Sequence, residues 1–353
     1  MKMGILGLGE GRSAISAALS STNFELRIIC DLDEDLCRKR AEEFNLSKYT
    51  TRYKDLLEDD EIDVIAIYTP DHLHATHIRL ALENDKHVIC TKPFIDRLDD
   101  AGKLLELYNR TGKRVMVGQS SRFFEPMIRQ RGDFEDGVVG NLITVEAYYN
   151  ADHRWFLKKE WARKSEFHWL LGGLSHPVDL VRWYMPDIEE VTGYGLVSEN
   201  GKKLGLEHED TMHFIMRATD GRIARVSGSY SGPVQPSVRD SEMSCILRGT
   251  DGCSQADYKE LRYSVTDKTG EEKQIFFEEK AGHFFRFEGK THHAGEYQNY
   301  FDYFAECIRN GRIPEPDLVE GIHTVALMMA MDRSLKEKRP VRPEDVLNEY
   351  DLK

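Results

Sequence analysis

Long apolar runs are missing from this sequence. None approaches the ~18 residues a membrane-crossing helix needs, so no membrane partner is expected. An excess of basic charge is missing too. Lys and Arg total 48 against 61 Asp and Glu, a formal net charge of −13, whereas a nucleic-acid partner calls for a basic face. Cysteine is scarce and carries no ligand spacing. Cys30, Cys37, Cys90, Cys245, Cys253 and Cys307 contain no Cys-x-x-Cys pair. That argues against a zinc site or a disulfide framework; they read as free thiols, with Cys30 and Cys90 in core strands. No basic, apolar and small-residue leader precedes the first apolar strand at Met3, so a cytoplasmic protein is expected. Internal repeats and low-complexity tracts are absent as well.

What is present is alternation. Met3–Leu6, Leu26–Cys30, Val64–Ile67, His87–Cys90 and Val115–Val117 are short apolar strands. The segments between them carry helical periodicity, including Glu34–Phe44, Tyr53–Leu57 and a helix to about Arg110 whose start looks capped by Asp96 with Asp99 three residues on. Such alternation over about 120 residues indicates a parallel, doubly wound sheet. After Gly118 the pattern changes. One helix near Pro126–Phe134 precedes strands without helices between them: Leu142–Tyr149, Val191–Val197, Thr211–Arg217, Ile223–Tyr230, Met243–Arg248, Leu261–Val265 and Lys273–Glu278. Tyr297–Arg309 and Leu318–Leu335 read as closing helices. The expected fold is α/β: a Rossmann domain over residues 1–120, then an α+β domain over 121–353 with a large, mostly antiparallel open sheet.

The first strand runs into Gly7-Leu-Gly-Glu-Gly-Arg12, and the second ends at Asp31, 24 residues after Gly7. That is near the spacing between a phosphate-binding glycine turn and the acid that receives the adenosine ribose. Gly7 permits the tight turn, Gly9 lets backbone approach a pyrophosphate, and the following helix offers its free N–H groups. Asp31 accepts from a ribose diol and repels a 2′-phosphate, which selects NAD over NADP. The third fingerprint position holds Arg12, with Gly11 displaced by one; either helix–strand packing is looser there or Arg12 faces a phosphate. Asp33 and Glu34 read as acids complementing a helix start. Parallel strands ending at Ile67 and Cys90 bring Thr69–His74 and Thr91–Phe94 to one rim of the sheet, where open α/β folds bind ligands.

Several segments, in order along nearly the whole chain, resemble the family of glucose-fructose oxidoreductase, inositol dehydrogenase and rhizopine-catabolism proteins. These are the glycine turn with Asp31, Thr69-Pro-Asp-His-Leu-His74, Lys86-His-Val-Ile-Cys-Thr-Lys-Pro93, Gly172-Gly-Leu-Ser-His-Pro-Val-Asp179 and Arg309-Asn-Gly-Arg-Ile-Pro-Glu-Pro316. The resemblance implies a nicotinamide cofactor bordered by Gly7, Gly9, Gly11, Arg12, Asp31, Thr69, Pro70, His74, Lys92 and Pro93. It implies hydride transfer at a hydroxyl of a sugar or cyclitol, with Lys92 and His176 catalytic. It further implies a homo-oligomer, dimer or tetramer, joined through the second domain's sheet. The Lys92–Pro93 bond is a candidate for the cis form.

Two positions depart from the pattern. Thr91 stands where a glutamate usually precedes the lysine, and Gly172 where many members carry an aspartate four residues before the histidine. Asp179, on the same helical face as His176, either holds that histidine or merely caps and packs. Asp152, His153, Trp161 and Trp169, in a stretch that also holds Trp155, Phe156, Glu166 and His168, form either a sugar-binding rim or part of the second domain's core. His293, ahead of the closing helix, is a further substrate candidate. Neither His72, His74 and His77 nor His292, His293 and Glu296 completes a tetrahedral ligand set, so no metal is expected.

Oxidising a secondary alcohol needs a base for the hydroxyl proton and a cation beside its oxygen. Histidine suits the first role and lysine the second. With Lys92 and His176 on different domains, the reactive centre is expected in an interdomain cleft, where a 3-keto sugar is one product. Two other readings remain open from the resemblance. One is a glycosidase that oxidises, eliminates and re-reduces on one bound NAD without net redox. The other is a non-enzymatic NAD- and sugar-sensing regulator.

Overall fold

The strand Val64–Ile67 is fully buried along its whole length. Burying each Val or Ile side chain there contributes about 2 kcal/mol, which explains a continuous apolar run in place of alternation. It sits inside a parallel sheet in a computed structural model that describes residues 1–158, 168–236, 241–277 and 295–352. By internal contacts the chain divides into two units, residues 1–123 with 279–322, and residues 124–278 with 323–353.

In the first unit the described strands are β1 (Lys2–Leu6), β2 (Glu25–Cys30), β3 (Tyr49–Thr50), β4 (Val64–Ile67), β5 (His87–Thr91) and β6 (Val115–Gly118). Their order is β3-β2-β1-β4-β5-β6, all parallel. This is the doubly wound order whose direction reverses between β1 and β4, so ligands are expected at the carboxyl ends of those strands. The intervening helices are α1 (Gly11–Ser20), α2 (Glu34–Phe44), α3 (Tyr53–Leu57), α4 (His74–Glu83) and α5 (Ala101–Thr111). Asp33 caps α2 by accepting from the N–H groups of Asp35 and Leu36, as its place before Glu34 suggests. Asp96 does not open α5. It pairs with Arg97, and α5 begins five residues later at Ala101, with Asp100 at the cap position making no side-chain bond.

By its contacts the helix Glu296–Arg309 groups with this unit. Tyr297, Tyr300, Phe301 and Phe304 join the core of Met3, Ile5 and Ile15, and Phe24 meets Phe301 edge-on at 5.9 Å. Asp302 accepts from Asn23 at 2.7 Å across the same contact.

The second unit is built on β7 (Leu142–Ala151), β8 (Ile188–Leu196), β9 (Thr211–Ala218), β10 (Ile223–Ser229), β11 (Ser241–Gly249), β12 (Cys253–Asp257), β13 (Arg262–Thr266) and β14 (Glu272–Phe276). Their order is β14-β13-β12-β11-β7-β10-β9-β8. Only β7 and β10 among these neighbours run parallel. Met212, Phe214 and Met216 alternate inward along β9. The helix Ser175–Tyr184 packs on β7, β10 and β11, and Glu125–Glu135 on β12 and β13. Tyr194, Leu196, Ile215, Ile223 and Phe276 are exposed large apolar side chains of this sheet. Glu146 beside them pairs with Arg225 and Arg248. All six cysteines are free, five of them buried.

Candidate functional site

The glycine turn follows from local sterics. Gly7 has φ +87°, and a Cβ there would lie 2.5 Å from the Tyr68 carbonyl oxygen at the end of β4. The two strand ends approach so closely that only glycine fits. Tyr68 N–H donates to the Leu6 carbonyl at 2.7 Å and Gly7 N–H to that of Cys30 at 2.8 Å, which locks the turn across β1, β2 and β4. At Gly9 a Cβ would meet nothing within 4 Å. That open space beside the start of α1 suits a pyrophosphate. Gly11 is buried at the start of α1, where a Cβ would stand 3.5 Å from Ile5 and 3.6 Å from Tyr68. Close helix–strand packing is therefore present, carried by Gly11 although Arg12 holds the usual position. Arg12 itself engages Glu43, its Nε donating at 2.9 Å.

Asp31 lies against the glycine turn. Its Oδ2 accepts from Leu8 N–H at 2.7 Å and its Oδ1 from Asp33 N–H at 3.1 Å. Two main-chain donors fix the carboxylate against the glycine turn. The residues present fit NAD: an open glycine turn, a helix start and a fixed acid, all at the carboxyl edge of β1 and β2.

Thr69, Pro70, His74, Lys92 and Pro93 gather at the adjoining edge of β4 and β5. His74 is fully buried, with Nδ1 2.8 Å from the Pro93 carbonyl oxygen and Nε2 2.8 Å from that of Thr69. Thr69 Oγ1 lies 2.9 Å from His77 Nδ1. Lys92 joins Pro93 by a cis peptide bond. Burial pushes the Lys92 ammonium below its ordinary pKa, while Asp71 and Glu10 pull it upward. Burial raises the Asp71 carboxyl, opposed by His74, Lys92 and His72. Asp71, which the sequence reading passed over although it stands inside the quoted Thr69–His74 motif, bears electrostatically on Lys92. A desolvated ammonium beside an acid can hold a hydroxyl oxygen and stabilise negative charge on it.

In the second unit His176 is the second residue of the helix Ser175–Tyr184, half-buried, with its ring edge-on to Tyr149 at 5.9 Å. Gly173 is required here, since a Cβ would lie 2.5 Å from the Tyr230 ring. Asp179, on the same helix, is buried at 1% exposure. Trp169 stacks on Tyr230 at 4.6 Å and is buried, so it packs the interior and offers no open rim. His153 lies against Trp169 at 5.4 Å, and its N–H donates to the Tyr230 carbonyl at 3.0 Å. Asp152 pairs with Arg154 at 2.5 Å, whose hydrogen bonds hold its carboxyl below the usual range. Trp155, neighbouring His153, is 45% exposed. Trp161, Glu166 and His293 lie outside the described residues. Among the described residues no three His, Cys, Asp or Glu side chains are placed to hold a metal, and no helix is long and apolar enough to cross a membrane.

Two sequence profiles match the chain: "Oxidoreductase family, NAD-binding Rossmann fold" over residues 1–119, and "Oxidoreductase family, C-terminal alpha/beta domain" over residues 133–342. Myo-inositol 2-dehydrogenase of Thermotoga maritima is 24% identical, covering 98% of this chain and 100% of its own. Scyllo-inositol 2-dehydrogenase (NAD(+)) of Bacillus subtilis is 23% identical over 97% of this chain and 96% of its own. A solved levoglucosan dehydrogenase, in complex with NADH and levoglucosan, shares the fold with TM-score 0.83 at 17% identity, covering 97% of this chain and 98% of its own.

Proposed function

Because the chain belongs to the oxidoreductase family with an NAD-binding Rossmann domain and a C-terminal alpha/beta domain, we propose that it transfers hydride between a secondary hydroxyl of a sugar, glycoside or cyclitol and NAD. It is an NAD-dependent oxidoreductase acting on CH–OH. The observation that carries the substrate proposal is the rim of the parallel sheet. Gly7 and Asp31 stand at the cofactor edge, and the partly desolvated Lys92, influenced by Asp71, stands at the neighbouring strand end. The inositol and levoglucosan dehydrogenases to which the chain is similar carry polyhydroxylated substrates in their names.

Bound NAD supplies the hydride acceptor. Lys92 donates to the carbinol oxygen and holds the charge that develops there as the hydroxyl proton leaves. His176 takes that proton, so the carbinol loses a proton to the histidine and a hydride from its carbon, and a ketone remains. With a pyranose as substrate, a 3-keto sugar is the product class we favour. The exposed alternation of Tyr194, Leu196, Ile215 and Ile223 supports a homo-oligomer through the second unit's sheet, and the acidic charge balance supports a protein without a nucleic-acid partner.

The test is incubation with NAD and a polyol panel, followed by absorbance of reduced cofactor and mass spectrometry for a loss of two hydrogens. Lys92→Ala and His176→Ala should abolish turnover and keep NAD affinity within a few-fold. Full turnover in both variants would overturn the roles. Cleaved glycoside without net cofactor reduction would favour the eliminating mechanism.

A further inference from the structure

Glu43, on α2, stands between two arginines. Its Oε1 accepts from Arg12 Nε at 2.9 Å and its Oε2 from Arg40 Nη1 at 2.8 Å, and a second Arg12 N–H closes the fork. Arg40 also donates through Nε to the Leu8 carbonyl at 3.2 Å. Leu8 is the middle residue of the glycine turn, and its N–H donates to Asp31 Oδ2 at 2.7 Å. The carbonyl and N–H of one residue thus bring Arg40 and Asp31 to the same turn.

The side chains of Arg12, Arg40 and Glu43 are 28%, 12% and 20% exposed, so solvent screens them only in part. Burial alone would raise the Glu43 carboxyl, but the Arg12 and Arg40 hydrogen bonds outweigh it and hold the group below its usual range. Paired guanidiniums of this kind are also what binds a phosphate monoester.

We infer that Glu43 acts with Asp31 to select the nucleotide: Asp31 receives the ribose diol, and Glu43 neutralises the two arginines that would otherwise receive a 2′-phosphate. The adenosine end of the turn is a two-arginine phosphate site held shut by an internal anion. This rests on NAD binding at the glycine turn and adds two specificity determinants, Glu43 and Arg40, to it.

The experiment is equilibrium binding of NADH and NADPH to the full chain, read by nucleotide fluorescence, with no sugar present. The quantity compared is the ratio of NADPH to NADH affinity, which cancels a general loss of folding. Glu43→Gln should raise that ratio about tenfold, the scale of one charge-assisted hydrogen bond. Asp31→Ser should raise it too, and the double variant should raise it further. Adding Arg40→Gln to the double variant should return most of the gain. Asp31→Ser compared with Asp31→Ser/Arg40→Gln tests the arginine even if Glu43 variants fail to fold. An unchanged ratio in Glu43→Gln, or a gain that survives Arg40→Gln, overturns the inference and leaves the trio as a tie between α1 and α2. Failure of the unaltered chain to bind NADH would instead overturn the cofactor site itself.

Discussion

His74 Nδ1 lies 2.8 Å from the carbonyl oxygen of Pro93, 19 residues away along the chain. Its Nε2 lies 2.8 Å from the carbonyl oxygen of Thr69. One buried ring therefore joins the turn after β4 to the turn that presents Lys92. The ring's partners are backbone carbonyls, and one of them belongs to Pro93, next in the chain to Lys92.

Replacing that ring should loosen the lysine and take the ring's nitrogens away from the buried Pro93 carbonyl and the part-buried Thr69 carbonyl. His74→Leu is expected to cost about 2 kcal/mol or more, because each buried acceptor left without a donor costs about 1–3 kcal/mol. Urea unfolding measures this. Turnover should fall with it, since the turn that carries Lys92 loses its tie to the turn after β4. Equal stability and equal turnover in His74→Leu would show that the ring clamps nothing.

Asp71 should govern the alkaline side of the pH profile. Lys92 starts below its ordinary value through burial, and the charge of Asp71 raises it. Removing that charge with Asp71→Asn lowers the lysine further, so activity should begin to fall at a lower pH than in the unaltered chain. The profile of kcat/KM between neutral pH and about 10.4, the ordinary lysine value, is the measurement. An alkaline limb that stays in place would separate Asp71 from the lysine.

Two other histidines should set acid stability. Burial, with nearby positive groups adding to it, pushes His77 and His87 down to about 4 from 6.5. His87 is held neutral by geometry as well, its Nδ1 accepting from Arg114 N–H at 2.9 Å. Both rings are neutral in the folded chain while the unfolded chain protonates them below pH 6.5. Their contribution is complete above that pH and is lost as pH falls toward 4. Each contributes a slope of up to about 1.4 kcal/mol per pH unit between those limits. His87→Gln keeps a side-chain acceptor and should flatten the acid decline measured by urea unfolding at pH 7 and pH 5. An unaltered slope would mean that His87 titrates alike in both states.

The local pattern disclosed the first unit well, because each strand there is a short apolar run and each helix has its own periodicity. The ranges Glu34–Phe44 and Tyr53–Leu57 hold to the residue. β12 was missed because Cys-Ser-Gln-Ala-Asp is polar, and its pairing depends on β11 and β13 across turns. Long-range partners were equally hidden. Arg12 reads as a possible phosphate ligand until Glu43, 31 residues later, is seen to take its guanidinium. Trp169 reads equally as a sugar-binding rim or as core until Tyr230, on a different segment, is seen to cover its face. Glycine spacing and acid position were legible because they act over one βαβ unit; ion pairing and stacking were not, because they join segments whose separation no local pattern encodes.

Gly7→Ala makes the sharpest demand on the cofactor site. The new methyl group would lie 2.5 Å from the Tyr68 carbonyl oxygen and 2.8 Å from Thr69 N, while the backbone keeps φ +87°. Neither neighbour is a flexible side-chain end, so β1 and β4 must part or the turn must change hand. Parting the strands strains Tyr68 N–H on the Leu6 carbonyl and moves Thr69, whose carbonyl oxygen lies 2.8 Å from His74 Nε2. Two losses should therefore appear together: NADH affinity down at least about tenfold, and unfolding free energy down by about 1–3 kcal/mol, the range for an enforced backbone outlier. Gly9→Ala is the control, because its Cβ would enter open space. It should cost little stability in the free protein yet weaken NADH binding, since the added methyl group occupies the approach to the pyrophosphate. If Gly9→Ala binds NADH as well as the unaltered chain does, the pyrophosphate does not approach at Gly9.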